Sequence, residues 1–451
     1  MSGSSWPVTV MGICGAGLVS LYIAGLMWAM EHDSYNLWGS MLMVPCLIWI
    51  NVVLVIRASK SEPGEWFGKL LMVALALKMA TSLLRYWVAF VMYKGVADAA
   101  GYNLYAASQY QVWRQGRFVW DFDSSSVTGT DFLRLATTGV YTVIGPAPIT
   151  GFIVFASMAF WGTYFIYRAF RIAFPQGENR RFALLLFLLP SILYWPASIG
   201  KDAWILLFIG ITALGAARIF AGLPGAYLLV ALGLWGTAMV RPHFAALLVA
   251  GIAVAQLLRP AKHQGLGLLA KVAGLAVILG AALLVTGATT SFLGIDDLSA
   301  DGIAEGLEGV GTRTAGGGSA FTASPVLSPL EYPWAMLTVL FRPFPWEAGN
   351  PQMFVSALEG VFLVGITIAS WIRLRQLPRY LGRYPFLIFA GAYDLLFIYA
   401  FSSFSNFGLL ARERSLLLPF FLMFLSVPLP PDAVRRRAEA KEIDRSLAYA
   451  R

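Results

Sequence analysis

The sequence predicts an all-α protein, a polytopic bundle of helices integral to a membrane. Three observations predict this fold class. Hydrophobic residues make up 58% of the 451 residues and charged residues only 13%, about half the charged share of a soluble domain. The mean hydropathy is +0.68. Apolar runs of about 20 residues, the length that crosses the hydrocarbon core as a helix, recur along the whole chain.

Cysteine and histidine are too scarce to predict a disulfide framework or a metal cluster. Cys14 and Cys46 both lie inside apolar runs, and His32, His243 and His263 are far apart in the sequence. No metal ligand is therefore assigned from these residues.

Taken in order, the apolar runs fit about 12 spans. Several runs are shorter than a full crossing requires, which leaves a range of about 10 to 13 spans. The first run has no basic residue before it and no small-x-small cleavage site after it, so we interpret it as a retained span and not a removed signal. The predicted spans cover residues 9–30, 37–56, 67–93, 149–167, 182–198, 203–218, 225–240, 242–258, 271–288, 352–372, 385–401 and 415–430.

The distribution of charge predicts that both termini are cytoplasmic. With that orientation, 21 of the 33 basic residues and 7 of the 24 acidic residues lie on the inner side, which makes the inner side net +14. The outer side is net −5. This bias follows the positive-inside rule, so the overall charge of +9 needs no nucleic-acid partner.

We predict one transmembrane domain over residues 1–430 and a basic cytoplasmic tail over residues 431–451. Two long outer-face loops, about 94–148 and 289–351, interrupt the domain and are expected to bear short interfacial helices. The second loop contains a glycine-rich stretch at 311–321, which predicts mobility, followed by alternating aromatic and apolar residues.

The first outer loop opens with a polar helical face. Asp98, Tyr102, Tyr105 and Gln109 fall at i, i+4, i+7 and i+11, a spacing that places them on one side of a helix. Asp98 follows the third span closely, so its carboxylate is expected to reach a lipid headgroup and water together.

Five groups of charged residues fall near the outer leaflet, where each charge is costly without a partner or a function. Distant parts of the chain thus bring Asp98 and several cations to one membrane face. The groups are Asp98 with Tyr102, Lys201-Asp202, Arg241 with His243, Arg342 with Glu347, and Arg412-Glu413-Arg414.

These residue types suit the attack of a hydroxyl on a sugar that is attached to a lipid phosphate. A carboxylate can accept the proton of the attacking hydroxyl. Arginine can bind the departing phosphate through two parallel hydrogen bonds, and lysine can bind it as a point charge. Aromatic residues can stack on sugar faces, and the candidates are Trp120, Tyr194, Trp195 and Trp346.

Structural interpretations of the same residues stay open. Asp98 fits the N-cap of the following helix, and the tyrosines fit an interfacial belt. Lys201-Asp202 fits an ion pair within a hairpin, and the three outer arginines Arg342, Arg412 and Arg414 fit snorkelling to headgroups, with Glu347 as their partner.

Further alternatives concern His243, which fits simple packing, and VRPH, which fits a broken helix. Glu359 and Asp394, within predicted spans, fit pairing with Lys78 or Arg85. Asp121 and Asp123 form a DxD-like pair, a weak metal signal in a solvated loop.

The motifs resemble the membrane glycosyltransferases of the GT-C superfamily. The resemblance rests on an acid at the start of the first large outer loop with Tyr four residues later, and on PSILYWPASIGKDA, VRPH, RPFPWEA and ARERS. The later motifs also look like bacterial EpsG/Wzy-like polysaccharide polymerases. The resemblance extends over most of residues 90–420.

The resemblance implies a GT-C-like fold, a polyprenyl-(pyro)phosphate-linked sugar donor, and a glycan or lipid-linked acceptor. Asp98 would be the general base. Other residues would bind substrate, some of them the phosphate. This chain has no soluble C-terminal domain and no second acid at the first-loop motif, so single-sugar transfer, repeat-unit polymerisation and a divalent metal all stay open. The implied binding residues are Tyr102, Lys201, Asp202, Arg241, His243, Arg342, Glu347, Arg412 and Arg414.

The leading hypothesis is therefore a glycosyltransferase at the outer face of a bacterial cytoplasmic membrane, with Asp98 and the outer arginines in one pocket open to lipid. An O-antigen or exopolysaccharide repeat-unit polymerase is an alternative with the same chemistry. A transporter or flippase of lipid-linked oligosaccharide is an alternative of another class; it predicts two related halves and ionisable residues near the midplane. A non-catalytic scaffold in a polysaccharide assembly complex is a third hypothesis.

Overall fold

Helices account for the regular structure of the described part of the chain. The computed structural model describes residues 6–32, 35–119, 127–259, 280, 290, 300–316, 318–323 and 325–430. Within those residues there is no strand beyond one isolated bridge between Ala320 and Asn406. The all-α prediction is confirmed.

By length and composition, six helices among the described residues can cross a membrane. This supports a multi-pass membrane protein. The six are Ile13–His32, Tyr35–Ser59, Trp66–Met92, Pro148–Ala173, Lys201–Ala221 and Pro351–Ala369. Shorter apolar helices lie at three more predicted spans, namely Ala226–Val240, Pro242–Leu258 and Pro385–Phe401.

The predicted span at 182–198 differs from the structure. Residues 182–198 do not form a single helix, because Asn179–Leu188 ends before Pro190 and a five-residue helix, Pro190–Tyr194, follows. Proline removes a backbone donor and disfavours helical geometry in the residue before it, and Leu189 is accordingly extended. The predicted span at 271–288, the aromatic and acidic residues at 120–123 and the basic tail lie outside the described residues.

The chain forms two compact units. The first contains the described residues of 1–72, 79–157 and 197–200, and the second contains those of 73–78, 158–196 and 201–451. The first unit holds α1 (Trp6–His32), α2 (Tyr35–Ser59), α4 (Asp98–Arg114) and α5 (Thr130–Ile144). Two helices contribute residues to both units, α3 (Trp66–Trp87) and α6 (Pro148–Ala173).

The second unit holds most of the remaining helices. In chain order they are α7 (Asn179–Leu188), α8 (Pro190–Tyr194), α9 (Lys201–Ala221), α10 (Ala226–Val240), α11 (Pro242–Leu258), α12 (Ala300–Thr314), α13 (Tyr332–Phe341), α14 (Pro351–Ala369), α15 (Trp371–Leu374), α16 (Leu377–Leu381), α17 (Pro385–Phe401) and α18 (Phe407–Phe424).

In the first unit, α4 and α5 pack side by side. The Tyr141 hydroxyl donates to Asn103 Oδ1 at 2.7 Å, and Arg114 Nε donates to the Thr142 carbonyl at 2.7 Å. These bonds join the two helices and fix the orientation of α4, the helix that begins at Asp98.

In the second unit, glycines allow close helix packing. A Cβ at Gly210 of α9 would collide with the backbone of Gly162 of α6, and a Cβ at Gly236 of α10 would collide with Phe208. Small residues at such crossings let backbones approach closely, which is how helices associate in lipid. This packing carries α9, whose first turn bears Lys201 and Asp202.

Candidate functional site

Three segments that are far apart in the sequence bring alternating charges together in the second unit. Arg412 Nε on α18 donates to Asp202 Oδ2 on α9 at 2.5 Å. Arg241 Nη2 lies 3.8 Å from Asp202 Oδ1, and Arg241 Nη1 donates to Glu413. The result is a continuous network, Arg412–Asp202–Arg241–Glu413.

Local backbone features place these side chains. Arg241 is extended at the break between α10 and α11, because Pro242 follows it. The Asn406 side chain accepts from the Leu409 N–H at 3.1 Å and so caps α18. Arg412 and Glu413 lie in the second turn of that capped helix.

The arginines of the network are more accessible than its carboxylates. The side chains of Arg241 and Arg412 are 16% and 19% exposed, whereas those of Asp202 and Glu413 are 4% exposed. The carboxylates are therefore more deeply buried than the guanidinium groups that they bind, and the accessible part of the network is cationic.

Arg342 forms a second charged group. It follows α13, and its Nε and Nη2 atoms fork onto the Glu347 carboxylate at 3.0 and 2.5 Å. The guanidinium also lies over the rings of Phe321 and Phe407 at 4.7 and 5.0 Å. Those two rings are stacked 4.0 Å apart. Arg342 is thus held by a carboxylate and an aromatic surface together.

Electrostatics agree with this geometry. Burial alone raises the pKa of the Glu347 carboxyl, but hydrogen bonds from Arg342 and from the Phe344 N–H, with the Arg342 charge, hold that pKa below its ordinary value. Glu347 is therefore ionised at neutral pH and remains a partner of Arg342. Trp346, stacked on Phe344 at 4.9 Å, is 80% exposed beside this pair.

A segment of the second long loop is attached to the start of α18 through its main chain. The Phe321 N–H donates to the Ser405 carbonyl at 2.8 Å, and the Phe407 N–H donates to the Ser319 carbonyl at 2.9 Å. Asn406 adds a bond from its side-chain amide to the Gly316 carbonyl at 2.6 Å. This attachment brings Phe321 onto Phe407, where both contact Arg342.

Arg414, on the same helix, is wholly buried. Its Nη1 atom donates to the carbonyls of Leu340 and Arg342 at 3.0 and 2.9 Å. Among the sequence-predicted binding residues, Arg414 is thus the one whose described contacts are with backbone at the end of α13.

The remaining predicted residues of the second unit lie close to the network. Lys201 precedes Asp202 at the start of α9. His243 follows the α10–α11 break, with its ring 5.0 Å from Phe244 and 6.4 Å from Phe401. Arg241 and Lys201 each lie within electrostatic range of His243.

Asp98 and Tyr102 lie in the first unit. Asp98 is the first residue of α4 and is exposed, and Ala97 occupies the N-cap position. Tyr102, one turn later, is buried. The helix that the spacing predicts is present, but the face that begins with Asp98 passes quickly from exposed to buried.

Sequence reasoning missed part of the surroundings of the site. Glu359, for which pairing with Lys78 or Arg85 was one open interpretation, accepts from the Ser191 N–H at 2.6 Å. Lys78 donates to the carbonyls of Ile192 and Leu193 at 2.9 and 3.0 Å. The short helix α8 thus has a carboxylate at its N-terminus and an ammonium at its C-terminus, which suits its dipole. In the sequence, Pro190 was the signal that could have indicated this short helix.

Charge is not balanced at the site. The charged groups that the sequence predicts in this unit comprise five cations, Lys201, Arg241, Arg342, Arg412 and Arg414, and three carboxylates, Asp202, Glu347 and Glu413, a surplus of two positive charges. Glu359 and Lys78 add one charge of each sign and leave the surplus unchanged.

Comparisons with protein-family models, curated proteins and solved structures give no match for this chain. The chemistry of the site must therefore be argued from its own residues. Within the described residues, no group of three or more His, Cys, Asp or Glu side chains is arranged to hold a metal ion. The donors that the site offers are guanidinium groups, which bind phosphate oxygens.

Proposed function

We propose that the protein is a membrane glycosyltransferase that uses polyprenyl-(pyro)phosphate-linked sugar donors in polysaccharide or glycolipid assembly. The observation that carries the proposal is the network in which accessible Arg241 and Arg412 are held from behind by buried Asp202 and Glu413. A buried ion pair adds little net stability, because the cost of desolvation offsets the attraction. The accessible members of the network are guanidinium groups, which suit an anionic ligand.

The reaction needs such a surface at its leaving group. The acceptor hydroxyl attacks the anomeric carbon, the bond from that carbon to the phosphate oxygen breaks, and the lipid phosphate departs with the electron pair. Arg241, Arg412, Arg342 and Lys201 stabilise the charge that develops on that phosphate. The proton of the hydroxyl passes to a carboxylate, and we propose Asp98 for this role.

We also propose the finer topology that this chemistry requires. About 12 spans place both termini in the cytoplasm of a bacterium and the charged network at the outer face of its cytoplasmic membrane. The described apolar helices and the excess of Lys and Arg in the segments assigned to the inner side support this arrangement. The two long loops then lie outside, and residues 1–430 act as one transmembrane domain.

Two versions of this proposal differ in the group that is transferred. The GT-C resemblance favours transfer of one sugar, and the EpsG/Wzy-like resemblance favours polymerisation of a repeat unit by the same chemistry. Both need the phosphate-binding surface, and both take a glycan or lipid-linked acceptor.

One observation favours a transporter of lipid-linked oligosaccharide. Helices broken at proline are typical of transporter binding sites, and this chain has such breaks before Pro190 and Pro242. In a deletion strain, lipid-linked precursor that accumulates on the inner face supports the transporter, and precursor that accumulates on the outer face supports the enzyme.

The direct test is sugar transfer by the purified protein from synthetic polyprenyl phosphate and pyrophosphate sugars. We expect transfer, competitive inhibition by farnesyl pyrophosphate, and a loss of about 100-fold or more in Asp98→Asn if Asp98 is the base. Asp131→Asn is the matched control, since Asp131 lies in the first turn of α5 and pairs with Arg134. Undiminished transfer by Asp98→Asn removes the proposed base, and no transfer from any donor removes the enzyme.

A further inference from the structure

Arg414 occupies an unusual place for a cation. It is wholly buried on α18, and its Nη1 atom bridges the Leu340 and Arg342 carbonyls at the end of α13. The last carbonyls of a helix lack intrahelical partners and carry partial negative charge. Arg414 satisfies two carbonyls there and fixes the direction in which the chain leaves α13.

The other two nitrogens of the Arg414 guanidinium have different surroundings. Its Nε and Nη2 atoms are buried and make no hydrogen bond with any described residue. Glu359 Oε1 is buried in the same condition, while the Glu359 Oε2 atom accepts from the Ser191 N–H at 2.6 Å. Glu359 lies within electrostatic range of Arg414. These two buried groups carry opposite charges and make no hydrogen bond to each other, so the charge of each offsets part of the cost of burying the other.

Arg342 depends on this arrangement. Its carbonyl is held by Arg414, and two atoms of its guanidinium are held by Glu347. The third guanidinium nitrogen, Nη1, makes no hydrogen bond within the described part of the chain, and the side chain is 15% exposed. Arg414 thus fixes the backbone of Arg342, and Glu347 fixes its side chain. The Nη1 donor of Arg342 remains for a ligand.

We propose that Arg414 and Glu359 are positioning residues, a buried latch that orients Arg342 so that its remaining edge binds a phosphate group. The latch acts through the backbone at the end of α13 and touches no substrate. The identity of the ligand rests on the proposed function, but the mechanical part of the inference does not.

The test uses the full-length protein and the variants Arg414→Lys and Glu359→Gln. Arg373→Lys is the matched control, because Arg373 is a second wholly buried arginine of the same unit and bonds to Glu178. Hydrogen exchange of the four amides in the stretch 342–347, those of Arg342, Phe344, Trp346 and Glu347, reports the mechanical part. Binding of farnesyl phosphate reports the ligand part, and thermal unfolding reports general damage.

We expect both latch variants to exchange these amides about tenfold faster than wild type, since the bonds that fix this turn are weakened. We expect Arg414→Lys to bind farnesyl phosphate about tenfold more weakly. In an Arg342→Gln background it should cause no further loss, because both changes remove one interaction. Arg373→Lys should leave exchange at 342–347 and binding unchanged while it lowers the unfolding temperature.

Several outcomes overturn the latch. They are wild-type exchange at 342–347 in both variants, an additive loss of binding in the Arg342→Gln background, or an equal loss of binding in Arg373→Lys. If wild-type protein does not bind farnesyl phosphate, the proposed function fails separately, and the exchange measurement alone decides the latch. Glu359→Gln keeps the test valid if Arg414→Lys does not fold.

Discussion

Arg373 and Arg414 are both wholly buried arginines of the second unit, but their surroundings differ. Arg373 Nη2 donates to Glu178 Oε1 at 2.5 Å, and its Nη1 donates to the Val427 carbonyl. That cation is matched directly by one carboxylate. Arg414 bonds only to carbonyls among the described residues, and its helix also carries Arg412 and Glu413 of the charged network.

The difference shows that a buried arginine is not in itself a functional signal. A matched pair such as Arg373 and Glu178 joins segments of the chain. A network becomes a candidate site when its cations are the more accessible members, as Arg241 and Arg412 are in the network with Asp202 and Glu413. The predictions below test whether the charged network affects sugar transfer and whether the Arg373–Glu178 pair affects stability.

The largest effect is expected at Arg241. Arg241→Lys keeps the charge but loses the planar fork that Asp202, Glu413 and a phosphate group require. We expect kcat/KM for sugar transfer to fall about 100-fold, which corresponds to about 2.7 kcal/mol. Arg373→Lys should change kcat/KM by less than about threefold. Equal losses in the two variants would remove the functional distinction between the regions.

The next effect concerns stability at Arg373. Arg373→Met removes a wholly buried cation and its bonds to Glu178 and to the Val427 carbonyl. Because the Glu178 side chain is 37% exposed, the cost should fall below about 3–5 kcal/mol, the cost of breaking a fully buried pair. We expect a clear drop in the thermal unfolding temperature in detergent. The double variant Glu178→Gln/Arg373→Met should recover part of that drop, because the stranded charge is gone. If the double variant is as unstable as the sum of the two single variants, the ion pair does not supply the stability.

The smallest effect is a pH dependence at Glu347. Its pKa in the folded protein lies below the ordinary value of 4.5, so its bond to Arg342 stabilises the fold fully above that value. The contribution is lost as the pH falls through the lower, folded pKa. We expect Glu347→Gln to reduce stability at pH 7 by at most about 1 kcal/mol, since solvent screens the pair.

This difference between wild type and Glu347→Gln should stay constant from pH 7 to about pH 5.5 and shrink below pH 4.5, since both proteins then carry an uncharged side chain at this position. Thermal unfolding across that range measures it. A gap that widens on acidification would mean that Glu347 does not act as an ionised partner of Arg342.

Local sequence signals predicted much of the fold. Apolar runs identified the helices of spanning length, and Pro242 identified the break that places Arg241. The pairing of Arg342 with Glu347, five residues away, was among the alternatives that the sequence left open, and the structure has it.

Pairings over long separations could not be read from the sequence. Asp202 bonds to Arg412, 210 residues away, a partner that no local spacing indicates. Periodicity also placed Asp98 and Tyr102 on one face, but the packing of α5 against α4 decides which part of that face is buried. Such outcomes depend on tertiary contacts, which no local spacing contains.

The attachment of Ser319 and Phe321 to Ser405 and Phe407 uses main-chain donors and acceptors. Every amino acid except proline supplies the same backbone groups. Homologues could therefore diverge widely in the side chains of this crossing and still keep the loop on the helix, so a weakly similar stretch of sequence can retain the same local architecture. The rings at 321 and 407, which both contact Arg342, limit that freedom at the charged site.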